Sequence, residues 1–356
     1  AIVENLKIVK TDSSGSHNLQ RAFKSLANAK RPLLYLGNGI RISGQSKAII
    51  EFAANLEIPM VFSWLSLDLL EGENHLNLGC PGGLAPKHAN WALAQADCIL
   101  FLGARLDLAT TAFQRQEFGS QAERWIVDVD KSELQKFDGM TNTHTVWFDL
   151  RNLEHILEST GQMRTQTSTD WARELLIQKE SYKAEEAHRL TTKKLTVYQF
   201  TSVISKFVQD EVIVAASSGL AEETFTRFLV PNKGMRFFNS AALGAMGMGL
   251  PNAIGASFAA RGRVVCVEAD GGIMFNLQEL ATLCQYQPAG FLLFILNNDG
   301  YASIRTSQQR HFGSVFGSDD NSGLSFPSLA LIAKAFGLEY SVIRSEAEVA
   351  DTLLTS

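Results

Sequence analysis

Two polar segments in the second half of the chain each follow a short apolar run. Asp270 ends the run RVVCVEAD and precedes two glycines, and Asn297 and Asn298 end the run FLLFILNN. Neighbouring parallel strands end at the same edge of a sheet, and ligands of open α/β sheets bind there. We therefore expect Asp270 and Asn297 to lie side by side at that edge.

These residue types suit a small cation that prefers oxygen ligands. Mg²⁺ takes one or two protein oxygens and completes its octahedron with water and phosphate. Gly271 and Gly272 would let backbone amides approach an anion, and the start of the following helix adds positive potential. The sequence thus predicts a metal-bridged diphosphate across two strand ends. The alternative is that Asp270 only caps a helix and the asparagines only form a turn.

Apolar runs alternate with helical patterns along most of the chain, which indicates βαβ units in parallel sheets covered on both faces. Strands are predicted at 32–37, 58–63, 97–104, 124–130, 211–217, 263–270, 291–297 and 338–343. The predicted fold class is α/β, with two doubly wound parallel-sheet domains. The first, a Rossmann-like domain, spans 15–158, a polar linker with a surface helix spans 159–194, and the second domain spans 195–356.

Composition excludes several classes of function. The net charge of −5 and the pI near 5.9 argue against a nucleic-acid-binding surface or a polybasic membrane patch. The nearly uncharged stretch 241–260 is interpreted as a glycine-rich turn leading into a packed helix, not as a membrane span, because glycines and Pro251 interrupt it. Four widely spaced cysteines without a CxxC pair indicate reduced thiols and a cytoplasmic protein.

The pair Asp270-Gly271, followed after residues 272–296 by Asn-Asn, resembles the GDG…NN cofactor signature of thiamine-diphosphate enzymes. The similarity to the acetolactate synthase family continues through MFNLQELATL and LGAMGMGLPNAIGA. The segment NNDGYASIRTSQQRHFG is most similar to the acetolactate synthase-like enzymes of surface-polysaccharide and deoxysugar gene clusters. The resemblance covers roughly residues 15–350.

The resemblance implies thiamine diphosphate and Mg²⁺ as cofactors. Asp270, the Asn297 side chain and the Asp299 carbonyl would ligate the metal. The Gly244 carbonyl and the Met246 amide would hold the aminopyrimidine ring, and the Met246 side chain would support the bent, V-shaped cofactor. The complete set of cofactor-binding residues expected in this way is Ser217, Ser218, Gly219, Gly244, Ala245, Met246, Asp270, Gly271, Gly272, Asn297, Asp299, Gly300 and Tyr301.

Two departures from the family pattern concern the diphosphate. The first glycine of GDG is Ala269, whose methyl group fits a strand end but tightens the approach of a phosphate. Acetolactate synthases usually have a Gln-His pair near the diphosphate, and this sequence has Leu220-Ala221. The substrate chemistry can therefore differ from acetolactate formation. In the segment after Asn297, Gln308 and His311 are the side chains that we expect near a substrate.

The first domain resembles the central domain of the same family, which in acetolactate synthases holds FAD without net redox work. Its motif GNG (37–39) is followed by Gly44 and does not complete GxGxxG. Relatives with this domain also exist without flavin, so FAD is left open.

The family's first domain binds the pyrimidine and supplies an activating glutamate, and we expect that domain to be absent from these residues. Glu222 and Glu223 are interpreted as first-turn acids favoured by the helix dipole. The intact enzyme is expected to be a homodimer or homotetramer, because sites in this family form between two chains. The 356-residue chain, ending at Ser356 before a closing helix and strand, is expected to be inactive alone.

The function that this resemblance implies is decarboxylation of a 2-oxo acid, with pyruvate as the expected substrate, and ligation of the product to a carbonyl acceptor. The cofactor carries that chemistry, and the protein positions it and excludes water. Two alternatives stay open. One is a flavin- or nicotinamide-linked oxidoreductase that uses GNG as a dinucleotide site, and the other is a non-catalytic binding module that retains the fold.

Overall fold

The computed structural model describes residues 13–160, 168–215, 218–240, 243–259 and 262–355. The chain forms two compact units, 1–186 and 187–356, each built on its own parallel sheet. This confirms the predicted class of two α/β parallel-sheet domains. The division after Glu186 lies inside the predicted linker 159–194.

Unit 1 is a five-stranded sheet of order β2-β1-β3-β4-β5, parallel throughout. Its strands are β1 (Pro32–Leu36), β2 (Met60–Phe62), β3 (Cys98–Leu102), β4 (Glu123–Asp128) and β5 (Thr143–Trp147). Its helices are α1 (Ser13–Asn28), α2 (Asn38–Ile42), α3 (Ser46–Asn55), α4 (Lys87–Gln95), α5 (Lys131–Gln135), α6 (Leu153–Thr160) and α7 (Ser168–Glu186).

Both faces of this sheet are buried, which is why β1 and β3 are apolar at every position. Leu34 and Leu100 pack into one core with α1, α3 and α6. Tyr35 and Phe101 point to the opposite face and pack with α4 and α7. The alternation of side chains along each strand thus divides one apolar run between two cores.

Helix α7 lies within the predicted linker 159–194 and packs one stripe of its surface against the rest of unit 1. Trp171, Leu175 and Lys179 are buried and recur every four residues on one stripe. The Trp171 indole donates to the Pro32 carbonyl at 3.1 Å, and Lys179 Nζ donates to the Gly72 and Asn77 carbonyls at 2.9 and 2.8 Å. The stripe was overlooked because one of its three anchors is a lysine.

Unit 2 is a four-stranded parallel sheet of order β7-β6-β8-β9. Its strands are β6 (Val212–Ala215), β7 (Arg236–Phe238), β8 (Val264–Ala269) and β9 (Phe291–Leu296). Its helices are α8 (Val197–Phe207), α9 (Leu220–Phe228), α10 (Gly249–Ala259), α11 (Asp270–Ile273), α12 (Glu279–Tyr286), α13 (Ala302–Phe312), α14 (Leu329–Ala335) and α15 (Glu346–Thr355).

The register of β8 on β9 pairs Ala269 with Leu296, so both strands end at the same level. The segment 338–343, predicted as a further strand, forms no β-ladder among the described residues, and Tyr340 and Val342 are half exposed. That prediction is wrong, because an alternating pattern becomes a strand only where a neighbouring strand pairs with it. In the described part of the chain, no helix is both long and apolar enough to cross a membrane.

Candidate functional site

The carboxylate of Asp270 joins the end of β8 to the loop that follows β9. Asp270 is 2% exposed, and its Oδ1 accepts a hydrogen bond from its neighbour Gly271 N at 2.9 Å. Its Oδ2 accepts from Asn298 N at 3.2 Å and Gly300 N at 3.0 Å. The structure therefore brings Asp270 together with the loop that starts at Asn297.

Burial raises the pKa of Asp270, and hydrogen bonds from the three backbone amides oppose that rise. Within the described ranges there is no group of three or more His, Cys, Asp or Glu side chains arranged to hold a metal. The expected ligand set is of another kind, with one carboxylate, one amide oxygen and one backbone carbonyl. An all-oxygen set with few protein ligands is what Mg²⁺ accepts when phosphate and water complete its coordination.

The loop after β9 is held in an uncommon backbone conformation. Asn297 Oδ1 accepts from Asp299 N at 3.2 Å, and Asp299 has a φ of 57°. Gly300 has a φ of 141°, and a Cβ there would overlap the Ser318 carbonyl, which accepts from Tyr301 N at 2.9 Å. Asn297 and Asp299 are exposed at this edge. In this conformation of the loop, only glycine fits at position 300.

Arg305 holds the same loop through the backbone carbonyl of Asn298, the second asparagine. Asn298 Oδ1 is buried without a hydrogen-bond partner among the described residues. Arg305 donates to the Asn298 carbonyl at 3.3 Å and forms an ion pair with Asp319 at 3.4 Å. A buried acceptor without a donor is costly in water-free surroundings. It therefore fits a position at which a cation or its water supplies the missing partner.

Two helix starts lie next to each other beside Asp270. Gly219, with a φ of 77°, precedes α9, and a Cβ on it would lie 3.8 Å from Ser303 Oγ in the first turn of α13. Neither N-cap residue, Gly219 or Tyr301, caps its helix through a side chain. Amides at an uncapped helix start are available to an anion. Ser217 lies outside the described residues, and Ser218 is half-buried.

The first turn of α9 contains the apolar pair that departs from the family pattern. Ala221 is buried, and Leu220 is half-buried. Glu222 is 5% exposed, and burial, followed by the nearby charge of Glu223, raises its pKa to about 8. Glu222 Oε1 has no hydrogen-bond partner in the described residues. The interpretation of Glu222 as an ordinary first-turn acid therefore omits its burial.

The two glycines after Asp270 are packed against protein, not open to solvent. A Cβ on Gly271 would overlap the Tyr301 ring, and a Cβ on Gly272 would lie 2.8 Å from the Glu268 carboxylate. The Gly271 amide already donates to Asp270. These contacts explain why both positions are glycine, and they differ from the expectation that both amides face an anion.

The glycine turn 243–248 precedes α10. Gly244 and Ala245 are exposed and Met246 is half-buried, whereas Gly247 is buried with a φ of 78°. The Asn276 side chain donates to the Gly247 carbonyl at 2.8 Å. This turn is thus attached to the segment that follows Asp270.

Glu268, next to the residue that replaces the first glycine of GDG, is fully buried. Its Oε1 accepts from Leu250 N at 3.1 Å, and its Oε2 accepts from Ala269 N at 3.3 Å. Burial raises the pKa of Glu268, and backbone hydrogen bonds, including one from Gly249, oppose the rise. Sequence reasoning missed both Glu268 and Asn276. The available signal was a single acid in the apolar run VVCVEA.

Of the two side chains expected near a substrate, Gln308 is hydrogen-bonded within the protein and His311 is exposed. Gln308 Nε2 donates to the Phe316 carbonyl at 3.0 Å and its Oε1 accepts from Phe316 N at 2.9 Å, so Gln308 fixes the loop after α13. His311 is exposed on the same helix.

The glycine turn of unit 1 does not fit a dinucleotide. Gly37 N donates to the Leu102 carbonyl at 2.9 Å, and Gly39 N donates to the Gly103 carbonyl at 3.0 Å. A Cβ on Gly37 would overlap the Gly103 carbonyl. In a Rossmann site these glycines let the backbone approach a pyrophosphate. Here they let two loops of the protein pack together, and both amides are engaged within the protein.

Comparison with known proteins agrees with the geometry of unit 2. Residues 217–355 match the family model described as thiamine pyrophosphate enzyme, C-terminal TPP binding domain. Residues 19–150 match the model described as thiamine pyrophosphate enzyme, central domain.

Several curated relatives are acetolactate synthases. The large subunit from Cyanidium caldarium is 28% identical over 324 residues, which are 90% of this chain and 54% of that protein. The isozyme 3 large subunit from Escherichia coli is 28% identical over 92% of this chain and 57% of that protein. The large subunit from Lactococcus lactis is 26% identical over 97% of this chain and 58% of that protein.

The chain therefore spans little more than half the length of these relatives. The two matched segments fall in the two parallel-sheet units and together make up most of the chain. The chain belongs to the thiamine pyrophosphate enzymes and contains their central domain and their C-terminal, cofactor-binding domain.

Proposed function

We propose that the protein is part of a thiamine-diphosphate- and Mg²⁺-dependent enzyme that decarboxylates a 2-oxo acid, pyruvate in the first instance, and ligates the product to a carbonyl acceptor. The observation that carries the proposal is the hydrogen bonding of Asp270 to Asn298 N and Gly300 N. It holds one carboxylate against the loop of the neighbouring strand, where the family places its metal and diphosphate. The acetolactate synthase relatives support the reaction class.

In this proposal Asp270, the Asn297 side chain and the Asp299 carbonyl hold Mg²⁺. The glycine turn holds the pyrimidine through the Gly244 carbonyl and the Met246 amide, with Met246 beneath the ring. The remaining residues proposed to contact the cofactor are Ser217, Ser218, Gly219, Ala245, Gly300 and Tyr301. Gly271 and Gly272 are left out of this set because they pack against Tyr301 and Glu268.

When bound, thiamine diphosphate supplies an electron sink for the loss of CO₂ from the 2-oxo acid. The protein binds the cofactor in one orientation and shields the reacting carbon from water. Because Leu220 and Ala221 offer no side-chain hydrogen bond, we propose that backbone amides at the starts of α9 and α13 hold the phosphate oxygens. The same apolar pair supports an acceptor other than the one used in acetolactate formation.

We further propose a homo-oligomer, a dimer or a tetramer. Helix α13 contains no buried residue, and Phe312 and Phe316 near its end are 77% and 83% exposed. Large apolar side chains exposed beside a candidate site are typical of a surface that another chain covers.

The four cysteines are all free, which supports a reducing compartment such as the cytoplasm.

A nicotinamide- or flavin-linked oxidoreductase is not favoured, because the amides of Gly37 and Gly39 are engaged within the protein.

Isothermal titration calorimetry of the 356-residue chain with thiamine diphosphate tests the proposed cofactor dependence. We expect binding in the presence of Mg²⁺ and its loss when EDTA is added. Absence of binding, or binding that is indifferent to Mg²⁺, would overturn the assignment. In the holoenzyme, release of CO₂ from pyruvate separates an enzyme from a binding module that retains only the fold.

A further inference from the structure

Two side chains outside the expected site connect the region of the glycine turn 243–248 to β8 and to the segment that follows Asp270. Asn276 lies in the loop after α11, and its Nδ2 donates to the Gly247 carbonyl at 2.8 Å. Glu268 lies in β8, and its carboxylate accepts from Leu250 N at 3.1 Å. Both contacts are at the C-terminal end of the glycine turn: Gly247 lies just before α10, and Leu250 lies in its first turn.

The contact made by Glu268 is an unusual use of a charged side chain. Glu268 is 0% exposed, and no described residue forms an ion pair with it. A buried carboxylate without a counter-ion needs hydrogen bonds to its charged form. The backbone amides of Gly249, Leu250 and Ala269 supply them, and the first two belong to the start of α10. Glu268 therefore fixes the position of α10 relative to β8.

The glycines around these two contacts leave no room for the turn to move toward β8. A Cβ on Gly249 would lie 2.5 Å from Glu268 Oε1, and a Cβ on Gly272 would lie 2.8 Å from Oε2. A Cβ on Gly247 would lie 2.8 Å from the Phe275 side chain and 2.9 Å from the Gly272 carbonyl. The backbone at 247–249, where the turn joins α10, is therefore in close contact with the segment 268–276.

We infer that Glu268 and Asn276 are positioning residues, which set the distance between the turn that carries Met246 and the end of β8 that carries Asp270. The inference rests on the proposed function, in which the pyrimidine binds the turn and the metal-bound diphosphate binds the strand end. The pyrimidine and the diphosphate belong to one molecule of limited length, so the spacing of the two binding regions determines whether both groups can be bound at once.

Asn276→Asp tests the inference, because it keeps the size of the side chain and removes the donor to the Gly247 carbonyl. Loss of one hydrogen bond is expected to weaken thiamine diphosphate binding in the presence of Mg²⁺ about fivefold. Hydrogen exchange of the cofactor-free variant should become faster at 247–250 and stay unchanged at 270–272 and 298–300. Glu268→Gln, which turns one acceptor into a donor facing backbone amides, should show the same pattern more strongly.

Gln278→Ala is the matched control. The Gln278 side chain donates to Asn276 Oδ1 at 3.1 Å and is exposed, so its removal leaves the contact with Gly247 in place. This variant should bind the cofactor and exchange hydrogen like the wild type.

The outcomes separate the inference from the function on which it rests. If the wild-type chain does not bind thiamine diphosphate with Mg²⁺, the proposed function fails. The positioning role is refuted if the wild type binds and Asn276→Asp binds equally well. It is also refuted if hydrogen exchange in the variant becomes faster at 270–272 and 298–300 as well as at 247–250. Glu268→Gln can unfold unit 2, and the Asn276 variant then decides alone, since that side chain is only half-buried.

Discussion

At the scale of single residues, Asp270 is the side chain on which the metal hypothesis depends. Replacement of Asp270 by Asn removes the negative charge and one of the acceptors that three backbone amides use. We expect the Mg²⁺-dependent affinity for thiamine diphosphate to fall roughly 100-fold, because a charged metal ligand is lost. Calorimetric titration at fixed Mg²⁺ concentration measures the change.

Asp299→Asn is the control for that substitution. The expected contribution of Asp299 is its backbone carbonyl, and Asn tolerates a φ of 57° as readily as Asp. Its affinity should stay within about twofold of the wild type. Wild-type affinity in Asp270→Asn, or an equal loss in both variants, would remove Asp270 from the metal site.

Residue types predicted part of this site and could not predict the rest. The position of Asp270 beside the loop after β9 could be predicted because strand ends of a parallel sheet meet at one edge. The metal-binding roles of Asp270 and Asn297 stay predictions. Glu268 and Asn276 were missed because their partners are backbone amides and a carbonyl, which have no signature in a sequence. Gly271 was assigned to an anion, whereas the structure packs it against Tyr301. Distinguishing these two reasons for a glycine requires coordinates.

At the scale of elements, α10 contains two glycines in opposite surroundings. A Cβ on Gly249 would lie 2.5 Å from Glu268 Oε1, whereas a Cβ on Gly255 would meet nothing within 4 Å. We expect Gly249→Ala to lower the free energy of unfolding by about 1–3 kcal/mol through overpacking. Gly255→Ala should raise it by up to about 1 kcal/mol, because alanine favours the helix.

Urea unfolding followed by far-ultraviolet circular dichroism measures both changes. The pair shares one helix and one type of substitution, so a difference in sign isolates the contact with Glu268. Equal destabilisation by both substitutions would mean that α10 tolerates no added methyl group and that the Glu268 contact is not special.

The elements that sequence patterns predicted are those with buried, continuous apolar runs. Strands β1, β3 and β8 were found for this reason. Strand β5 (THTVW) was missed because it lies at a sheet edge with exposed polar positions, and β7 is only three residues long. Edge strands and very short strands depend on a neighbour for their existence, so local sequence carries little signal for them.

At the scale of the whole molecule, all five tryptophans belong to unit 1, so their fluorescence reports the unfolding of that unit alone.

His88 in α4 is 8% exposed, and burial, together with Lys179 and Lys183, lowers its pKa from 6.5 to about 3. Below pH 6.5 the His88 imidazole is protonated in the unfolded chain but stays neutral in the folded chain until the pH nears 3. The contribution of His88 to the free energy of unfolding is therefore unreduced above pH 6.5 and becomes less favourable as the pH drops.

We expect His88 to reduce the free energy of unfolding of unit 1 by roughly 2–3 kcal/mol between pH 7 and pH 4. Other groups also titrate in this range, so the measurement compares wild type with His88→Gln by urea unfolding followed through tryptophan emission. The variant should lose less stability on acidification than the wild type. Identical pH profiles would mean that His88 is protonated in the folded state as easily as in the unfolded chain.

The two sheet edges of the molecule should respond differently to ligands, although both units have parallel sheets with glycine turns. In unit 2 the uncapped starts of α9 and α13 leave backbone amides available. In unit 1 the amide of Gly37 already donates to the carbonyl of Leu102, which ends β3, and the amide of Gly39 donates to the carbonyl of Gly103, which follows it.

Hydrogen exchange with mass spectrometry should therefore show slower exchange at 243–250, 270–272 and 297–303 when thiamine diphosphate and Mg²⁺ are added, and no change at 37–39. Addition of FAD should leave 37–39 unchanged as well, because protection there requires a free donor or space for a phosphate, and a Cβ on Gly37 would already overlap a carbonyl. Protection of 37–39 by FAD would show that this turn opens to admit a dinucleotide, and the packing of Gly37 against Gly103 would then describe only the ligand-free state.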